Sequence, residues 1–580
     1  MTSRPQLLLL LPALLALTIA DPAFARPARP PAKASPVGAV TGHVGGAVSA
    51  ADPRAAQAGA AMLRLGGSAT DAAIATMLAL GVVEPQSSGI GGGGFLVTAD
   101  ANGQVDTIDG REAAPHTAGP DWFVVDGQLL THERAVPGGR SVGVPGNLQL
   151  AALAHQRHGK LPWRTVFGPA IALARDGFAM SARLNNSLAL FKDIAGLSPA
   201  GRKLWFAPDG NPLPVGTVVR NPALAKLLGD IAARGPDAFY RGANARALTS
   251  AVQHSTINPA PLTEADLAAY KAQPRAALCR PYRGWRVCSM GPPSAGGIIV
   301  LQVLGMLERF DLKALGPASP EAWHLIAEAE RLAFADRDRF VADPDKVAVP
   351  TAGLIADDYI AARSALIAQG TALPVAESGA PAGAQVAFAA APPIKENGTT
   401  HFVAVDAKGG VASYTSTVES GFGSGLVVSG YVLNNELTDF NLAPDEQGKP
   451  TANRVGADKR PRSSMSPVVV FGPDGRFRMA AGAAGGFTIP PQVIRVLTGT
   501  LDWGLTAREA ITLPVIVPVG DTLLVEAGTP LEGMVPALKA MGHAKVVAIP
   551  LRLKANAVES VDGTLRGAAD PRSEGAAVSP

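Results

Sequence analysis

Three hydrophobic patterns succeed one another along the chain. From residue 52 to 83 the spacing is helical. Asp52-Pro53 opens "RAAQAGAAMLRLGG", with Asp at the N-cap, Pro at the first helical position and Gly66 just past the end. "TDAAIATMLALGVV" follows and is apolar almost all round, which predicts a buried helix. "PSAGGIIVLQVLGMLE" at 293–308 reads the same way, and "GVPGNLQLAALAHQRHG" reads as a turn and a helix. Ser319-Pro320 opens "EAWHLIAEAERLAFADRDRF", whose apolar positions 322, 325, 326, 329, 332 and 333 share one helical face. The second pattern has no period: "TALPVAESGAPAGAQVAFAAAPPI", rich in Ala, Pro and Gly, predicts loose chain. The third begins at Thr399. "HFVAVDAKGGVASYTSTV" alternates as a strand, a Lys408-Gly409-Gly410 turn and a strand. "GYVLNNELTDF" reads as a short strand with a polar end. "SSMSPVVVF", "GRFRMAAG" and "TLLVEAG" are further strands, and "PPQVIRVLTGTLDWG" and "LEGMVPALKAMGH" are helices. The class is α/β, without a 20–50-residue repeat.

Composition adds limits. With 47 % apolar and 17 % charged residues in 580, the chain can bury a large core. Length alone suggests about four domains, yet no linker is evident before the loose stretch. The net charge of +3 is spread thinly, without a Lys/Arg block, which argues against nucleic acid as a partner. Arg4, the apolar run Leu7–Ala20 and "AFA" at 23–25 read as a signal peptide over residues 1–25, the alternative being an uncleaved anchor. Residues 26–39 read as a disordered Pro/Ala leader. No later run suits a transmembrane helix, so an exported mature protein, periplasmic or secreted, is expected.

Cys279 and Cys288 flank "RPYRGWRV". A two-residue turn at Arg283-Gly284 places them opposite each other. A disulfide and two free buried thiols both stand open. Cysteine nucleophile chemistry and a zinc cluster are poorly supported. Gly89, Gly91 and Gly94 match G-x-G-x-x-G, but a helix precedes them and a strand follows, the reverse of a dinucleotide fingerprint. The glycines are better read as points of close backbone approach. His155 and His158 lack an evident acidic third ligand and are read as an exposed helix face. Nothing calls for a metal or an organic cofactor. Arg111 and Glu112 end the strand of "TIDGREAAP", beside a Gly-rich loop where a charged residue is usually solvated; a guanidinium fork there can also hold a substrate carboxylate.

The junction "KENGTTHFVAV" carries the chemistry. A threonine hydroxyl becomes a useful nucleophile when its residue is the first of a chain and its own α-amine acts as base. Thr399 meets that condition only if the Gly398–Thr399 bond is cut. Gly398 leaves its carbonyl unhindered, and the loose stretch before it can swing away. Thr400 and His401 are read as structural.

Several motifs, in order along the chain, resemble the gamma-glutamyltransferase (gamma-glutamyltranspeptidase) family of N-terminal nucleophile hydrolases. They include "GVVEPQSSGIGGGGF", "DGREAAP", "PPSAGG", "NGTTHFVAV", "LNNELTDF", "KRPRSSMSP", "GAAGG" and "ADPRSEGAA". The resemblance implies a four-layer αββα sandwich. It also implies self-cleavage before Thr399, giving a large fragment (40–398 of the fold) and a small one (399–580) that stay together as a heterodimer. Thr399 then attacks γ-glutamyl amides such as glutathione, and water or an amino acid or peptide amine resolves the acyl-enzyme. Thr417 matches the threonine that positions the nucleophile. Arg111, Ser463 and Ser464 match the carboxylate-binding set, and Glu436 and Asp439 the ammonium-binding groups. Gly485 and Gly486 match the oxyanion N–H pair.

Three departures bear on the donor. Glu419 stands where the family usually has Asn, which adds negative charge near the ammonium site. The stretch from Phe440 to Asn453 is short and lacks an aromatic lid residue. Ala483-Ala484 replaces a frequent Ser-Pro pair. The competing readings are a glutaryl-type cephalosporin acylase of the same fold and an exported binding protein that no longer cleaves itself; a nucleotide-binding enzyme is disfavoured by the helix–loop–strand order at Gly89.

Overall fold

The computed structural model describes residues 45–385, 388–390 and 398–580. The expected signal peptide, the leader and residues 391–397 of the loose stretch lie outside the described residues. The helices used below are α1 (Pro53–Arg64), α2 (Ala69–Val83), α3 (Asn147–His158), α4 (Ala182–Leu190), α5 (Gly296–Leu307), α6 (Pro320–Phe340) and α7 (Ile489–Leu501). The Asp52 side chain accepts from the N–H of Arg54 at the start of α1, and Gly66 past its end has φ 81°. Ser68 and Asp71 close a capping box on α2, which is buried along nearly its whole length, as its all-apolar sequence requires.

Two antiparallel sheets carry the site. The strands, in chain order, are β1 (Gly46–Ala50), β2 (Gly93–Ala99), β3 (Val105–Gly110), β4 (Gln273–Arg275), β5 (Leu278–Tyr282) and β6 (Trp285–Ser289). They continue with β7 (Thr400–Asp406), β8 (Val411–Thr417), β9 (Val468–Phe471), β10 (Phe477–Ala484), β11 (Lys554–Val561), β12 (Thr564–Ala569) and β13 (Ala576–Val578). The first sheet runs β13-β1-β7-β8-β2-β3-β4 and the second β12-β11-β10-β9-β6-β5. β7 and β8 are thus interior strands, and the Thr399 junction enters the middle of a sheet.

Side chains alternate across β7. Phe402 and Ala404 join the core that includes α1 and α2, whereas Val403 and Val405 join the core shared with Val468, Val470, Met479 and Ala481 of the second sheet. A period of two buried on both faces is the pattern of a strand with cover on either side. Helices α5, α6 and α7 contribute Ile298, Leu325 and Val493 to this second core.

The β5–β6 turn is the one expected: Arg283 and Gly284 have φ 48° and 85°, and Cys279 pairs in register with Cys288. The two form a disulfide, with Cα atoms 4.1 Å apart, which settles the open choice between bridge and thiols. His155 and His158 correct one expectation, for they are half-buried. His155 Nε2 lies 2.8 Å from the Leu161 carbonyl and His158 Nε2 2.8 Å from Asp106, because the end of α3 folds back on the start of β3. Among the described residues no His/Cys/Asp/Glu group is arranged to hold a metal. Among the same residues no helix is long and apolar enough to cross a membrane. All of them fall in one compact unit, against the four domains that length alone suggests.

Candidate active site

Thr399 sits where the chain enters β7, and Thr417 ends the neighbouring strand β8. Their hydroxyl oxygens are 3.1 Å apart. The Thr417 hydroxyl is fixed from behind, because the Glu419 N–H donates to it at 2.8 Å. The Thr399 N–H donates to the Ser87 carbonyl at 3.2 Å, and the Val418 N–H donates to the same oxygen. Only 6 % of Thr399 is exposed.

The backbone here is strained. Thr399 has φ 97°, and Glu419 and Phe422 have φ 73° and 65°. A β-branched residue at positive φ is rare, and each such residue costs on the order of 1–3 kcal/mol. Glycines make room for the approach. A Cβ on Gly92 would stand 1.9 Å from the Thr417 carbonyl oxygen, and one on Gly91 2.0 Å from that of Val432. That is the close approach expected of the G-x-G-x-x-G run. The Gly398 carbonyl accepts the Gly485 N–H at 3.3 Å, and Gly486 opens the 3-10 turn Gly486–Thr488.

Arg111 lies 1 % exposed beyond the end of β3. Its guanidinium forms ion pairs with Glu436 and Asp439 and also donates to the carbonyls of Pro461 (3.1 Å) and Arg462 (2.7 Å). The expected carboxylate-binding and ammonium-binding groups therefore touch each other. Ser463 and Ser464 follow Arg462 directly and are buried; the Ser464 hydroxyl accepts from Arg337 at 3.2 Å. Glu112 completes the cluster. It is fully buried, and a Cβ on Gly93 would stand 2.3 Å from its Oε2. Gly93 pairs with Thr417, so this acid lies one strand from the threonine pair.

Three buried carboxylates thus share one guanidinium. Burial pushes Glu112 and Asp439 up to about 7, against the pull of Arg111, and pushes Glu436 well above its usual range. Desolvation outweighs attraction because a single positive charge cannot neutralise three acids away from water. The Arg111 guanidinium is raised in turn by Glu436 and Asp439, despite its burial.

Glu419, the expected departure, accepts a hydrogen bond from Asn435 Nδ2, while the Asn435 Oδ1 takes the Ser420 N–H at 2.9 Å. Asn434 receives the Gly143 N–H at 2.9 Å and donates to the Gly91 carbonyl at 2.9 Å. The Asn pair of "LNNELTDF" is therefore what holds the loops together, and sequence reading gave it no role. Residues 440–453 hold a small hairpin, Asp445–Glu446 with Lys449–Pro450.

A cavity of about 380 Å³ opens beside Gly398, Thr399 and Gly485. Arg111, Glu436, Asp439, Ser463 and Ser464 are not among its walls. Sequence reading also missed Glu84, Ser87, Arg183 and Lys554 near it. Lys554 Nζ is 3.2 Å from both Glu84 Oε2 and Ser87 Oγ, and Arg183 Nε is 3.2 Å from Glu84 Oε1. Nothing in the sequence links Lys554 to residues some 470 positions earlier.

Comparison with solved structures places the fold among acylases and transpeptidases. A cephalosporin acylase from Bacillus halodurans superposes with a TM-score of 0.83 at 26 % identity, covering 97 % of this chain and 99 % of that one. The gamma-glutamyltranspeptidase of Helicobacter pylori gives a TM-score of 0.55 at 32 % identity, over 61 % of this chain and 99 % of that one. Residues 55–579 match the gamma-glutamyltranspeptidase family model, and the chain belongs to that family. A glutathione hydrolase proenzyme of Escherichia coli (strain K12) is 36 % identical over 544 residues, 91 % of this chain and 90 % of the relative. An acylase ACY 1 proenzyme of Pseudomonas sp. (strain SE83) is 35 % identical over 540 residues, 91 % and 92 % of the two chains.

Proposed function

We propose that this chain is the proenzyme of a gamma-glutamyltransferase with glutathione hydrolase activity, built as a four-layer αββα sandwich. The observation that carries the reading is the meeting of Thr399, Thr417 and the Gly398–Gly485 contact in a member of this family. Maturation starts when Thr399 Oγ1 attacks the Gly398 carbonyl carbon. The Gly485 N–H already contacts that carbonyl oxygen and stabilises the charge that develops on it. The C–N bond breaks as the ester forms, and water hydrolyses the ester. Strain at Thr399 is released with the peptide bond. The products are a large fragment ending at Gly398 and a small one, 399–580, held together as a heterodimer by β7 and β8 within the first sheet.

The freed α-amine keeps the Ser87 carbonyl as its partner. With an ordinary pKa of roughly 7.7–8.0, it takes the Thr399 hydroxyl proton as the oxygen attacks a γ-glutamyl carbonyl. Thr417 orients that hydroxyl, and Gly485 and Gly486 supply the oxyanion N–H pair. Arg111, Ser463 and Ser464 hold the donor's α-carboxylate, and Glu436 and Asp439 its ammonium. Glu419 braces this site through Asn435. The donor's opposite charges insert into the Arg111–acid cluster, whose surplus of carboxylates suits an ammonium. Water, or an amino acid or peptide amine, then takes the glutamyl group. The apolar run Leu7–Ala20 supports export to the periplasm or medium.

A γ-glutamyl anilide tests the reading. Turnover is expected, together with a gain of one glutamyl group in the mass of the 399–580 fragment, and neither occurs in Thr399→Ala. The acylase superposition supports a second reading, a glutaryl-type cephalosporin acylase. Faster turnover of a glutaryl anilide than of the γ-glutamyl one would favour it. An uncut, inactive chain would favour the exported binding protein.

A further inference from the structure

The cavity beside Thr399 has a charge of its own. Arg183 on α4, Arg552 before β11 and Lys554 at the start of β11 are among its walls, and no acid is among its described walls. Glu84 stands behind two of these cations, 3.2 Å from Arg183 Nε and 3.2 Å from Lys554 Nζ. Glu84 thus pairs with both Arg183 and Lys554, Glu574 accepts the Arg183 backbone N–H at 2.8 Å, and among the described residues no acid forms an ion pair with Arg552. Arg552 is exposed and Arg183 half-buried, so both can meet a ligand from solvent. Apolar side chains share the lining: Leu190, Phe191, Phe487 and Leu551. The Phe191 ring packs close over Gly421, where a Cβ would stand 2.5 Å from it.

Gly398, Thr399 and Gly485 are among the walls of this cavity, whereas the Arg111 cluster is not. A donor whose glutamyl end occupies that cluster sends its leaving amine into the cavity. Aminolysis of the acyl-enzyme reverses the first step, so the incoming amine occupies the same space. Its nitrogen attacks the ester carbonyl, the C–O bond to Thr399 breaks, and the amine's proton returns to Thr399 Oγ1. We infer that Arg183 and Arg552 bind the free carboxylate of the acceptor, or of the leaving amino acid or peptide. The apolar wall then selects acceptors with an apolar or aromatic side chain. Arg suits this task because its fork pairs with a carboxylate in two places. The inference rests on the γ-glutamyl reading of the same site.

The test compares phenylalanine with phenylalaninamide, which lacks the carboxylate. Transfer from a γ-glutamyl anilide gives each acceptor's KM, and calorimetric titration of the purified protein without donor gives each Kd. In the wild type both constants should be roughly tenfold lower for phenylalanine, the difference a charge-assisted contact makes. In Arg183→Gln/Arg552→Gln the ratio should fall to about one, and in Arg183→Lys/Arg552→Lys, which keeps the charge and loses the fork, it should return only in part. Equal constants for the two compounds in the wild type, or an unchanged ratio in the Gln variant, would overturn the inference. The titration separates the two claims. Discrimination in binding without any γ-glutamyl turnover leaves the carboxylate site standing and removes the proposed function. Turnover without discrimination does the reverse.

Discussion

The Arg111 cluster should make donor choice depend on pH. Glu112 and Asp439 titrate near 7 because burial outweighs their attraction to Arg111. Their folded values are raised, so below 7 they are protonated and neutral; above it Asp439 carries the charge that receives the ammonium, and Glu112 adds to the negative field around it. One such group is about one-eleventh ionised at pH 6 and about ten-elevenths at pH 8, a tenfold change. The perturbation is removal of the donor's amino group, so a γ-glutamyl anilide is compared with a glutaryl anilide. Both share the same nucleophile, whose amine also titrates here, so the ratio of their kcat/KM values cancels that dependence. The ratio should rise about tenfold from pH 6 to pH 8, and more steeply if both acids must ionise together. A flat or falling ratio would refute the assignment of Asp439 to the donor's ammonium.

Other expectations follow from single contacts. In Gly485→Ala the new Cβ would stand 2.6 Å from Thr488 Oγ1 at a φ of 122°, so the N–H moves off the carbonyl; kcat should fall by roughly 10²–10³ while circular dichroism stays native. Thr417→Val removes the hydroxyl that meets Thr399 and leaves the buried Glu419 N–H without its partner. Self-cleavage followed on a denaturing gel should slow roughly a hundredfold, and stability should drop by about 1–3 kcal/mol. Cys279→Ala/Cys288→Ala opens a loop with a sequence separation of 9, a loss of about 2.5 kcal/mol in urea unfolding with no change in KM.

Much of the frame was legible in the sequence because local rules governed it. Asp52-Pro53 and Gly66 bound α1 as caps do, and Arg283-Gly284 made the turn that pairs the cysteines. The Gly-rich run was read correctly as a place of close approach, since its order excluded a nucleotide loop. The short helices between residues 160 and 260, such as α4, were not read, because no long apolar face marks them. The site divides the same way. Thr399 stands out at a junction between loose chain and strand, and Arg111 at a strand end as a guanidinium suited to a carboxylate, whereas Thr417 and Asp439 needed the family resemblance to single them out. Glu112 was seen but given no role, for its burial depends on Gly93 lying across from Thr417. Lys554, Arg183 and Glu84 meet only through the tertiary fold, and no spacing foretells them.

The central claim is that Thr399 becomes a chain terminus by the protein's own action. Intact-mass measurement and amino-terminal sequencing of the purified protein, beside Thr399→Ala, address it directly. The expected result is two fragments that copurify, the smaller beginning Thr399-Thr400-His401, with the variant a single folded chain. A wild-type chain that stays whole while turning over a γ-glutamyl donor, or a Thr399→Ala chain that still separates at Gly398, would contradict it.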